Sequence, residues 1–95
     1  MSLKELKSDK LTSKLAKHLP HSAFASNSDN VTERLSAVMD GKKWCETNLG
    51  SQFVVSQAGT MYYDTEAKWY LSHTGEFFFA KAKHYRLFMD EMAED

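Results

Sequence analysis

Ninety-five residues, 42% of them hydrophobic and 13% aromatic, are enough for one folded domain with a modest core and too apolar for a disordered chain. A net charge of -1 excludes a uniformly basic nucleic-acid binder and leaves only local charged patches. The single cysteine, Cys45, excludes an internal disulfide and a cysteine zinc site, and no apolar run reaches the roughly 18 residues of a membrane span.

The N-terminal stretch alternates leucine with lysine and has no continuous apolar core of a leader peptide, so no secretory signal is visible and the cytoplasm is the expected compartment. Residues 2–19 favour helix, but the phase shifts: Leu11, Leu15 and Leu19 form one stripe, whereas Leu3 and Leu6 fall among Lys7, Lys10, Lys14 and Lys17. A break near Ser8 or Asp9 resolves the conflict. The sequence thus predicts a frayed segment over 1–8, then a helix from about Asp9 to His18, stopped by Pro20.

Residues 20–30 read as a polar connector with one anchor, Phe24. Asn30, with Glu33 three positions on, has the spacing of a helix N-cap. The helix that follows carries Val31, Leu35, Val38 and Met39 on one face, and Gly41 is placed to end it. Lys42 to Asn48, which includes Trp44 and Cys45, fits either another helical turn or a loop.

From Gln52 to Phe79 come four short apolar segments: Phe53–Val55, Met61–Tyr63, Trp69–Leu71 and Phe77–Phe79. Turn-forming residues separate them, which predicts an antiparallel meander of about four strands. Val54, Tyr62, Tyr70 and Phe78 recur every eight residues, a spacing that would set all four on one face. Asp64 to Ser72 also fits a helix with Asp64 as its N-cap, and the meander is the reading taken there. After Gly75 two readings compete: a helix from Glu76 to Met92, which puts Lys81 in its apolar stripe, or strand over 76–79 with a helix from near Ala80, the reading taken. Acidic groups at its C-terminus oppose the dipole, so 93–95 should fray. The expected fold is α+β, one two-layer domain over 1–95: two N-terminal helices, the meander and a C-terminal helix.

No catalytic constellation is visible. His18 and His21 straddle Pro20, His73 lies in a turn, His84 lies on the last helix, and no metal-ligand spacing joins them. Cys45 beside Trp44 reads as a small packed hydrophobe. Four scattered glycines make no phosphate loop. No cofactor or metal is therefore expected.

The aromatic sheet carries the functional expectation instead. A stripe of Tyr62, Tyr70 and Phe78, left uncovered by three short helices, suits a protein interface or a homodimer contact. With Lys68 and Arg86 nearby in sequence, the same residues also resemble the ingredients of a base-stacking platform. The first expectation is a small non-enzymatic binding protein, such as an inhibitor, adaptor or regulatory subunit. The alternative is a nucleic-acid-binding module.

Overall fold

The computed structural model describes residues 3–93. In chain order these form β1 (Leu3–Glu5), a 3-10 turn (Ser8–Lys10), α1 (Leu11–His18), β2 (His21–Phe24), α2 (Val31–Leu49), β3 (Val54–Gln57), β4 (Thr60–Asp64), β5 (Trp69–Leu71), β6 (Glu76–Phe79) and α3 (Ala82–Met92). The fold is α+β, with three helices and six strands rather than four. The strands make two antiparallel sheets of three, in the orders β1-β4-β3 and β2-β6-β5.

The four segments of the expected meander are all strands, but they do not form one sheet. Instead each hairpin, β3-β4 and β5-β6, takes an earlier strand against its second member. Both sheets then have the same plan: strand, helix, hairpin, with the first strand paired to the last. The two units are interleaved along the chain. Leu3–Glu5, expected to fray, is the edge strand beside β4, and His21–Phe24, expected to be connector, is the edge strand beside β6. Both segments are poor in apolar periodicity because an edge strand needs only one side chain face and one ladder to hold it.

Loop length explains why the eight-residue stripe fails. The β3-β4 hairpin turns through Ala58 and Gly59, both at positive φ (51° and 80°), so Val54 pairs with Tyr63 rather than Tyr62. Paired residues share a face, and Tyr62 is therefore on the opposite side from Val54. The β5-β6 loop is one residue longer, His73-Thr74-Gly75, and there Tyr70 does pair with Phe78. One residue of loop decides which aromatic faces where.

Phe53 fastens the two sheets. Its N–H donates to the Trp69 carbonyl and its own carbonyl accepts from Asp64, both at 2.8 Å. Alongside, Trp69 Nε1 donates to the Gly50 carbonyl at 2.7 Å, and Gln52 Oε1 accepts from the Leu71 N–H.

Two buried clusters fill the interior. In one, Trp69, Phe77 and Phe79 of the second sheet pack under Cys45 and Leu49 of α2 and Phe88 of α3. In the other, Leu15 and Leu19 of the first helix region pack with Leu6, Phe53 and Tyr63. Leu11 is half-buried, Lys7, Lys10 and Lys17 are exposed, and Lys14 is half-buried with its Nζ 5.3 Å from the Tyr63 ring centre. The first helix thus packs on the leucine stripe expected of it.

Gly41 does not end α2. The helix runs through it for 19 residues. A Cβ at Gly41 would stand 2.9 Å from Phe77 Cζ and 3.1 Å from Phe88 Cε1, so glycine is there to let helix and rings approach. Phe88 fills the resulting junction, with ring centres 4.6 Å from Phe77 and 5.0 Å from Phe79. α3 begins close to the expected place, after strand 76–79.

Candidate interaction surface

Tyr70 and Phe78 are neighbours, with ring centres 6.1 Å apart. They are half-buried, and they pack against the cluster of Leu6, Leu15, Leu19, Phe53 and Tyr63. The second face of their sheet, expected to be bare, is covered by the other βα unit. Burial raises the Tyr70 phenol above its ordinary pKa. Tyr62 is separated from them, half-buried on the outer face of the first sheet between Glu5 and Val55. Lys68 and Arg86 are both exposed. The contiguous Tyr62–Tyr70–Phe78 stripe therefore does not exist as one surface.

Cys45, His18 and His84 sit in packed surroundings. Cys45 is fully buried, and burial, with Glu46 adding to it, pushes its thiol up to about 12. It stays protonated at neutral pH, so it packs as a small apolar group. The His18 ring lies 5.7 Å from Phe53 and 6.0 Å from Tyr63. Burial lowers its pKa, and Lys17, Lys14 and Lys4 add to the effect. His84 is lowered in the same way, by burial first and then by Lys68, Lys81 and Lys83, and its buried Nδ1 has no hydrogen-bond partner. Among the described residues no group of three His, Cys, Asp or Glu is arranged to hold a metal ion. No helix among them is long and apolar enough to cross a membrane.

With Phe24 of β2 and Leu87 and Met89 of α3 exposed to a lesser degree, the most exposed large apolar residues lie elsewhere, on α2. Asn30 caps this helix, its Oδ1 accepting from the Glu33 N–H at 3.0 Å, as the spacing predicts. Ser28 completes the cap by accepting from the Asn30 N–H and donating to the Glu33 carboxylate. Yet from Val31 to Ser36 every residue is exposed. The buried stripe begins only at half-buried Ala37 and Val38 and continues through Gly41, Cys45 and Leu49. The first two turns of α2 thus overhang the core.

On this overhang Val31, Leu35 and Met39, spaced four apart, are 60%, 60% and 71% exposed. The face expected from sequence is real, but its larger members point to solvent. Beside them Val31, Leu35 and Val38 form one wall of a groove of about 340 Å³. Phe24, 49% exposed, is at its floor, and the turn Ser72–Gly75 closes the far side. Arg34 and His73 also border it, and among the described residues no carboxylate does.

Sequence reasoning did not select these residues as a site. The available signal was that α2 carries two apolar stripes. One consists of large residues at 31, 35 and 39, the other of small ones at 37, 41 and 45, and one helix on one sheet can bury only a single stripe.

No known family model matches this chain, and no curated protein or solved structure is similar to it at significance.

Proposed function

We propose that this is a small non-enzymatic binding protein, of the inhibitor, adaptor or regulatory-subunit kind, whose interface is the overhanging half of α2. The observation that supports this reading is the run of Val31, Leu35 and Met39, largely exposed beside exposed Phe24. Large apolar side chains set four apart on a capped helix and left mostly in solvent cost solubility and bury only a minor part of their surface in this chain. They suit the helix-in-groove mode of recognition, in which residues at i, i+4 and i+8 act as anchors. The occupant that fits is an apolar segment of another protein with a carboxylate directed to Arg34, since the described lining of the adjoining groove includes Arg34 and no carboxylate. A reducing compartment such as the cytoplasm suits the single buried thiol of Cys45.

The test is photo-crosslinking in native extract, with p-benzoylphenylalanine in place of Leu35 or, as a control, exposed polar Lys43. The expected outcome is one discrete adduct with a second protein from position 35 and none from position 43. An adduct with the chain itself would replace the partner by a homodimer. Equal, diffuse labelling at both positions would remove the reading.

The nucleic-acid alternative retains one supporting observation: Lys68, Lys81 and Lys83 cluster around His84. Less supports its stacking platform, because half-buried Tyr70 and Phe78 pack against the Leu6 cluster and Tyr62 stands on the other sheet. Binding to single-stranded nucleic acid with a steep salt dependence would favour it.

A further inference from the structure

The other flank of the α2 overhang borders a second groove, of about 680 Å³. Its apolar wall includes Phe24, Trp44 and Met89, and its polar rim is Glu33, Asp40 and Glu91. Among the described residues no lysine, arginine or histidine lines it. The last turn of α3 opens onto it and holds no basic residue, so the partial negative charge of the helix C-terminus adds to that of the carboxylates. Glu33 is compensated locally, because it accepts from Ser28 Oγ and sits in the first turn of α2. Asp40 lies mid-helix, and Glu91 stands at the unfavourable end of its dipole. Negative charge therefore accumulates beside Phe24, Trp44 and Met89 in a groove that Ser26, Asn27 and Ser28 also line, with no counter-charge among its described lining residues.

We propose that this groove docks a cationic, apolar-anchored segment of a partner protein. Lysine or arginine side chains would meet Asp40 and Glu91, and an apolar side chain would enter between Phe24, Trp44 and Met89. A purely apolar segment would desolvate the carboxylates without pairing them. An acidic segment, or the polyanionic backbone of a nucleic acid, is repelled by the same charges. The groove lies across the helix from the Val31–Leu35–Met39 stripe; the two surfaces share Phe24, whereas Asp40, Trp44, Met89 and Glu91 belong to this groove alone, so variants at Asp40 and Glu91 test it separately.

The test is a titration of the isotope-labelled chain, followed by NMR, with two synthetic peptides of equal length, one of lysine and leucine and one of glutamate and leucine. Two indole N–H signals report. Trp44 lines the groove, while Trp69 is fully buried and donates to the Gly50 carbonyl. The lysine peptide should shift the Trp44 signal saturably and leave Trp69 in place. The Asp40→Lys/Glu91→Lys variant should bind it about tenfold more weakly, and Leu35→Asp/Met39→Asp should bind it as wild type does. If the charge-reversed chain fails to fold, Asp40→Asn/Glu91→Gln takes its place, with a weakening of about threefold. Equal binding of the glutamate peptide, no shift at Trp44, or undiminished binding by the folded charge variants would each overturn the proposal.

Discussion

The two halves of α2 obey different rules. From Ala37 onward the helix is held by small residues, Gly41 and Cys45 among them, that let it sit close on Phe77 and Phe88. Before Ala37 it carries the larger apolar residues Val31 and Leu35, both 60% exposed, and its own cap stands at the end of it. Apolarity alone would have buried the first half. Burial was decided instead by closeness of approach, which two aromatic rings permit only where the helix offers no side chain. The remainder of the apolar surface is left for another molecule.

The largest effect should come from emptying the packed half. Phe88→Ala removes a fully buried ring that packs on Phe77, Phe79 and Trp44, and should cost about 3–5 kcal/mol in urea unfolding. A loss under about 1 kcal/mol would mean that α3 does not close this core.

Gly41→Ala tests the closeness itself. Alanine improves helix propensity by about 1 kcal/mol, but its methyl would overlap Phe77 and crowd Phe88. Overpacking of this kind costs about 1–3 kcal/mol, so a net loss of up to about 2 kcal/mol is expected. Ser36→Ala, on the exposed overhang, should be neutral or slightly stabilising in the same assay. Equal responses at the two positions would erase the contrast.

Asn30→Ala addresses the overhang, which has its cap but little core to hold it. The expected cost is about 1 kcal/mol. Amide exchange should accelerate over residues 31–36 and stay unchanged over 41–49, because the two halves open separately. Uniform acceleration along α2 would show one cooperative unit instead.

Much of this fold was legible in local chemistry. The strands β3 to β6, the Asn30 cap, the leucine stripe of α1 and the burial of Cys45 all follow from short-range patterns. What stayed hidden was decided at long range. β1 and β2 are short edge strands whose residues carry no strand signature, so their partners could not be read from them. The face of Tyr62 depended on whether a turn held two residues or three, a difference that reverses every side chain beyond it. Gly41 looks like a helix stop until the rings beneath it are known. The candidate surface was missed for a related reason: Val31, Leu35 and Met39 look like core until Ala37, Gly41 and Cys45 are seen to have taken that place.

The central claim, that the exposed stripe serves a partner and not the fold, meets its most direct test in Leu35→Asp/Met39→Asp. One sample set is unfolded in urea. In the other, p-benzoylphenylalanine at Val31 reports capture of the partner in native extract. The expected result is a folding free energy within about 0.5 kcal/mol per site of wild type, as for exposed positions, together with loss of the Val31 adduct. A stability loss of about 2 kcal/mol or more would make the stripe part of the core, and an undiminished adduct would place the interface elsewhere.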